Sequence, residues 1–306
     1  MLAFLKLIRL PNLIVIALSQ LLVRYCLIIP AFQAQYNNTE IFPAHLNKFE
    51  FCLLVFSTIL IAAAGYIIND VFDVSIDEIN KPGKNIIGKK ISEKSATGIF
   101  YIFSAIGILI GIYLAFKINK PVMAFVNLFV AGSLWMYSSY YKKRLLLGNI
   151  IIAILSSLSL LIIGLFEPEF YLNITYLLIY CVFAVALSLV REIIKDIEDI
   201  VGDELAQCKT IPILVGIKWT KFILITLIVF TAVLIGRILF VYFYDNTVIS
   251  YWNLLAIFEI PFVALAYLVV TAQEKKDYHF ASLFTKIMMV LGIFTLFPFY
   301  YFFLRG

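Results

Sequence analysis

Apolar and polar positions in the 306-residue chain alternate on the scale of whole segments. Apolar stretches close to the ~20 residues that carry an α-helix across a hydrocarbon core cover 13–32, 49–68, 98–116, 121–138, 149–166, 170–190, 220–243, 252–272 and 281–304. The pattern predicts an all-α, polytopic integral membrane protein, with nine transmembrane helices around a central cavity and one domain over 1–306. Pro11, Pro121 and Gly148 fall at junctions, where helices start or break.

Composition strengthens this reading. The chain is 63% hydrophobic, 14% charged and has a mean hydropathy of +1.00, against about 45–50% apolar and about 25% charged in soluble domains. With the N-terminus inside, the inner connections hold 17 Lys and Arg and the outer ones four, Lys48, Lys117, Lys120 and Arg305. The positive-inside bias therefore places the N-terminus and the two long polar segments, 69–97 and 191–219, at the cytoplasmic face. Segment 33–48 is expected to be a small outer loop. Lys6 and Arg9 precede an apolar run interrupted by Ser19, Gln20 and Arg24, which reads as a retained first span and not a cleaved signal. Four cysteines without a C-x-x-C pair argue against a disulfide frame or zinc site. The two histidines, His45 and His279, argue against haem or a histidine-built metal centre. Membrane lipids are expected partners, and nucleic acid is not.

Two polar stretches carry chemistry. One holds Asp70, Asp73 and Asp77, and the other Asp196, Asp199 and Asp203 at the same spacing, offset by 126 residues; Glu78 and Glu204 keep the offset. On one helix such carboxylates share a face. Four expected spans separate the clusters, which puts both on one side of the membrane. The fixed offset points to a parallel internal repeat of four spans, plus one extra helix. Paired carboxylates, with Asn69 as a neutral oxygen donor, predict a binuclear Mg2+ site, with Asp73, Asp199 and Lys142 as the catalytic residues. Mg2+ neutralises a diphosphate leaving group. Lys81, Lys84, Lys142, Arg191, Lys195 and Lys209 are the candidate phosphate contacts. Tyr66, Phe72, Tyr137, Tyr140 and Tyr141 offer ring faces to an allylic cation. Arg24, Arg237, Glu259 and Lys286 lie inside expected spans, where ionisable groups are functional suspects; Arg24 reads either as a contact to an acceptor's phosphate or as a snorkelling charge. Lys89, Lys90 and Lys94 read as an anchor on anionic headgroups, and Asn12 as a cap of the first span.

The order of motifs resembles a known family. N-D-x-x-D-x-x-x-D from Asn69, followed by I-N-K-P-G-K-N and G-K-K-I-S, looks like the first signature of the UbiA superfamily of membrane prenyltransferases. R-E-I-I-K-D-I-E-D-I-V-G-D, then K-T-I-P-I-L-V-G, resembles the second, and Tyr137, Lys142 and Gly148-Asn149 match the Y-x-x-x-x-K and G-N between them. The second signature is most similar to that of the digeranylgeranylglyceryl phosphate synthases. The resemblance implies Mg2+-dependent transfer of a polyprenyl group, geranylgeranyl in that branch, from its diphosphate to a prenylglyceryl phosphate hydroxyl in ether-lipid synthesis. It also implies Asn69, Asp70, Asp73, Asp77, Asp196, Asp199 and Asp203 as metal positions, with Lys142 and Arg191 in the substrate clamp and an N-terminal asparagine, here Asn12, near the cavity. Pro82-Gly83-Lys84-Asn85 stands where the family often has P-D-R-P, exchanging an arginine fork for a point charge. An aromatic acid or naphthoate of quinone synthesis is the alternative acceptor. A divalent-cation or substrate transporter is the alternative of another class, although the acids lie at one edge and not at mid-membrane. A CDP-alcohol phosphotransferase would carry D-G-x-x-A-R, which this chain lacks.

Overall fold

A membrane interior offers no water to backbone N–H and C=O groups, so a spanning segment satisfies them within itself as a helix. The computed structural model, which describes residues 2–35, 46–80, 82–83, 85–167, 170–243 and 251–300, follows that rule. Among the described residues the only β-pairing is an isolated Ile87–Ile91 bridge. The helices are α1 (Leu2–Leu7), α2 (Leu10–Leu22), which continues through a π-helical segment Val23–Ile28 into α3 (Ile29–Gln35), α4 (Lys48–Phe72), α5 (Val74–Asn80) and α6 (Glu93–Lys117). Then come α7 (Ala124–Ser139), α8 (Leu147–Phe166), α9 (Phe170–Glu198), α10 (Ile200–Leu205), α11 (Ile211–Phe243), α12 (Tyr251–Thr271), α13 (Lys275–Phe294) and α14 (Leu296–Phe299).

Every expected span overlaps a helix. Among the described residues, seven are long and apolar enough to cross a membrane: Leu10–Gln33, Lys48–Phe72, Glu93–Lys117, Pro121–Ser139, Leu147–Phe166, Ile174–Glu198 and Ile211–Val241. The eighth expected span is met by a shorter apolar helix, Leu255–Thr271. The ninth meets α13, whose Lys275, Lys276, Asp277 and Lys286 dilute its apolar character; positions 301–304 of that span lie outside the described residues, as do 36–45 of the expected outer loop. Two boundaries are corrected. Helix α9 runs on past position 190 to Glu198, and α11 begins at Ile211, not 220, with a non-helical break at Gly216 (φ 79°). The segments 69–97 and 191–219 are therefore helical for much of their length and not open loops.

Packing gathers the helices around one cavity. Leu187, Val190, Ile193, Ile194 and Ile197 of α9 are buried against Leu224 of α11, Leu265 and Val269 of α12 and Ala281 of α13. On the other side α4, α6 and α7 are tied by a polar knot. Asn127 donates to Ser57 Oγ (2.6 Å) and to the Gly107 carbonyl (3.0 Å), and Ser57 donates to that same carbonyl (2.8 Å). Gly107 is required there, since a Cβ would drive into Ile61 and the Ser57 carbonyl; small residues let helices in lipid approach this closely. Tyr101, Leu109, Phe125, Phe129, Phe222, Phe230 and Val233 project outward from α6, α7 and α11, as lipid-facing side chains do.

Arg24 settles differently from either expectation. It lies ~22 Å along α2 and its continuation from Arg9, at 1.5 Å per residue, and is buried away from the cavity. Its guanidinium pairs with buried Glu167 at 2.9 Å, donates to the Leu46 carbonyl and stacks 4.2 Å from the Phe51 ring centroid. It neither snorkels nor lines the cavity. Removing one member of a buried pair strands the other charge, so Glu167→Ala is expected to cost about 3–5 kcal/mol, read as a lower unfolding midpoint in detergent.

Candidate functional site

The two acidic motifs fold the same way. Asp70 lies in the last turn of α4, Asp73 at the junction, and Asp77 in the first turn of α5. Asp196 lies near the end of α9, Asp199 at the next junction, and Asp203 in α10. Asp73 (φ −94°, ψ 1°) and Asp199 (φ −102°, ψ 9°) share the bridge region of backbone space, a sparsely populated conformation frequent at active sites. Each motif is thus a long helix, a bend at the middle aspartate and a short helix, so its three carboxylates are not on one continuous helical face.

One amide joins the two bends. Asn80, at the end of α5, donates to the Asp199 carbonyl (3.2 Å) and accepts from the Gly202 N–H (3.0 Å). Gly202 must lack a side chain, because a Cβ would collide with the Asn80 amide. Lys275 at the start of α13 donates to the Asn80 carbonyl (2.8 Å) and stands 3.7 Å from Asp199. The clusters expected to converge therefore sit side by side at one end of the bundle.

They open into a cavity of about 380 Å³. Asn69, Asp73, Asp77, Asp196, Asp199 and Asp203 line it, with Lys142, Arg191, Lys195 and Tyr137. Lys142 pairs with Asp73, whose Oδ2 also accepts from Asn69 at 2.7 Å. Burial works against the Lys142 charge, but Asp73 and Tyr137 outweigh it and hold the ammonium above its ordinary range. Asn149, supplied by the G-N pair, donates to Asp196 at 2.8 Å. Burial pushes the Asp203 carboxyl up to about 6, with Lys142 opposing and Asp199 and Asp73 adding to the shift. Negative charge is thus in local excess at the bends, and the donor set is all oxygen. Both features fit a hard divalent cation. Among the described residues no three acidic or thiol side chains already close on a single point, so added ligand oxygens would have to share the coordination.

Two further expected positions fall elsewhere. Asp70 does not line the cavity; Arg9 holds it at 2.9 Å. Lys209 is exposed, its backbone N–H on the Lys143 carbonyl. Lys81 and Lys84 lie outside the described residues. Three contributors escaped the sequence reading as site residues. Asn80 was visible only as part of the I-N-K-P-G-K-N run. Glu192 bonds Arg191 (2.9 Å) and Lys195 (3.5 Å), and its signal was an acid between bases at i−1 and i+3. Arg9 had the look of a topological charge.

Residues 31–300 match the model of the UbiA prenyltransferase family. The chain belongs to that family. It is therefore a membrane prenyltransferase, which displaces the transporter and phosphotransferase alternatives. It is 32% identical over 248 residues to the digeranylgeranylglyceryl phosphate synthase of Methanosphaera stadtmanae, covering 81% of this chain and 87% of that protein. To the one from Saccharolobus solfataricus it is 34% identical over 240 residues, 76% and 79% of the two chains. A solved structure from work on digeranylgeranylglyceryl phosphate synthase in membranes superposes with a TM-score of 0.63 at 26% identity, covering 96% of each chain. An apo UbiA homologue from Aeropyrum pernix K1 shares the fold, with a TM-score of 0.61 at 14% identity over 92% of this chain and 96% of that one.

Asn80→Ala is expected to leave the Gly202 N–H and one lone pair of the Asp199 carbonyl unmet, costing about 1–3 kcal/mol. It should also weaken the apparent divalent-cation affinity in turnover assays by about tenfold or more, as loss of a ligand-orienting neighbour does.

Proposed function

We propose that the protein transfers a geranylgeranyl group from its diphosphate to the hydroxyl of a prenylglyceryl phosphate, with Mg2+ held at the paired bends. The juxtaposition of the two aspartate motifs through Asn80 carries this reading, because it brings both clusters to one cavity, where a single diphosphate could meet them together. Asn69, Asp73, Asp77, Asp196, Asp199 and Asp203 would hold the cation, and Asp70 acts through Arg9. Bound Mg2+ supplies charge neutralisation for the leaving diphosphate.

The chain's own groups do the rest. Asp73 fixes Lys142 at the cavity wall, where its ammonium offers a direct contact to phosphate oxygens. Asn149 and Glu192 hold Asp196 and the Arg191–Lys195 pair in place. The donor's C1–O bond breaks with its electron pair leaving on the diphosphate. The acceptor oxygen then bonds C1 as its hydroxyl proton passes to the released diphosphate, giving an ether. Tyr66 and Tyr137 line the route and face a transient allylic cation without offering a strong nucleophile. The prenyl chain lies along Ile152, Leu155, Phe183, Met289 and Ile293, deeper in the cavity. On α9 that wall runs from Asp196 back to Tyr180, ~24 Å by helical rise. The distribution of Lys and Arg favours a mouth facing the cytoplasm, and the whole chain acts as one catalytic unit.

Asp73→Ala and Asp199→Ala are each expected to insert and fold yet lose about 10²-fold or more of turnover, the scale for removing transition-state charge stabilisation. The acceptor is tested by offering purified protein geranylgeranyl diphosphate with geranylgeranylglyceryl phosphate or 4-hydroxybenzoate. Mass spectrometry should find the ether lipid; a prenylated aromatic acid instead would replace this acceptor with the quinone-route one.

A further inference from the structure

Among the described residues five cations line the cavity, and four of them are paired with acids. Arg9 has Asp70 at 2.9 Å, Lys142 has Asp73, and Arg191 and Lys195 share Glu192. Lys286 is the exception. Its ammonium donates to the neutral Asn12 Oδ1 at 2.6 Å, and among the described residues no carboxylate lies within ion-pair distance of it. The charges acting on it are those of Arg191 and Arg9, both of its own sign. An ammonium in the wall of a membrane bundle, partly desolvated and facing two guanidinium groups, is costly to keep. Such a position is stabilised by an anion that arrives from outside the chain.

That anion is not at the paired bends. Lys286 follows Lys275, the residue beside Asp199, by eleven positions of α13, or ~16 Å of helical rise. Arg191 precedes Asp199 by eight, ~12 Å. Lys286 and Arg191 therefore sit deeper than the two bends, in the same cavity, while Arg9 stands at the level of Asp70. Its geometry is built, not incidental. Arg9 is held at φ 50°, a left-handed conformation unfavourable for a side-chain-bearing residue, with its guanidinium 4.9 Å from the Tyr66 ring centroid. Asn12 spans the gap, donating to Tyr66 Oη at 3.4 Å while accepting from Lys286. Four elements, the α1–α2 turn, α2, α9 and α13, thus contribute to one electropositive pocket beside the reaction channel.

We propose that Lys286, with Arg9, Arg191 and Asn12, forms a second anion subsite that receives the phosphomonoester of the prenylglyceryl acceptor, separate from the aspartate bends that take the donor's diphosphate. The assignment rests on the acceptor reading above. It gives Lys286 the acceptor contact first considered for Arg24. The division of labour is physical: a dianionic phosphate binds cations directly, whereas the donor's diphosphate meets carboxylates through an intervening cation. Docking there anchors the acceptor's head while leaving its hydroxyl free to reach the donor's C1.

The test is steady-state kinetics of the purified, Mg2+-loaded enzyme with geranylgeranyl diphosphate and two acceptors, geranylgeranylglyceryl phosphate and the same lipid lacking phosphate. Lys286→Gln should raise KM for the phosphorylated acceptor tenfold or more, leave the donor KM within twofold, and collapse the preference for the phosphorylated acceptor over the alcohol. Lys286→Arg should restore most of that preference. Asn12→Asp, which truncates nothing and gives Lys286 a permanent counter-ion, should reproduce the acceptor defect. An unchanged acceptor KM and preference in both Lys286→Gln and Asn12→Asp, or a donor KM raised as much as the acceptor KM, would overturn the subsite. A wild-type enzyme that ignores the glyceryl phosphate lipid altogether would overturn the acceptor reading and the subsite with it.

Discussion

Asn80 spends both ends of its amide on the other half of the protein, donating to the carbonyl of Asp199 and accepting from the N–H of Gly202. Two acidic bends on different long helices would repel one another if left to their charges, and burial sharpens that repulsion. A neutral, bidentate link to backbone atoms holds them together at no charge cost, provided Gly202 stays bare. Lys275 reinforces it from a third element, on the Asn80 carbonyl. The rest of the site depends on this contact: Asp73 and Asp199 face one cavity because α5 and α10 are pinned side by side.

Around that link the bundle separates two electrostatic regimes. At the bends, acids outnumber the bases that touch them, which suits a cation and, through it, a diphosphate. Deeper along α9 and α13, guanidinium and ammonium groups gather and, among the described residues, Lys286 has no acid beside it. At the opposite end of the first span, Arg24 and Glu167 form a buried pair that lies outside this cavity. Charges in lipid-spanning helices are expensive, and here Arg24 and Glu167 fasten the scaffold while Arg191, Lys195 and Lys286 face the channel.

Much of this was legible in the sequence because hydrophobicity and spacing report on local physics. Apolar windows located the helices, and the repeated aspartate spacing located both acidic motifs but not the bend at each middle aspartate. Boundaries failed where a helix stays helical while lining a polar cavity. The R-E-I-I-K-D-I-E run ended the apolar window at position 190, yet Ile193, Ile194 and Ile197 continue the buried face while Arg191, Glu192, Lys195 and Asp196 point to the channel. Pairings across long separations were out of reach: Arg24 finds Glu167, and Lys286 finds Asn12, only once the helices pack. Asp70 shows the same limit, since its spacing fits the metal cluster but Arg9 reaches it first.

The central claim is that the two bends act as one receptor for a cation-bound diphosphate. Electron paramagnetic resonance of Mn2+, titrated into the purified protein in place of Mg2+ with and without inorganic diphosphate, tests it most directly. The account predicts that protein and diphosphate together capture Mn2+ more tightly than either alone, with the free-ion signal falling accordingly. A free-ion signal that protein lowers no further than diphosphate does by itself would contradict it.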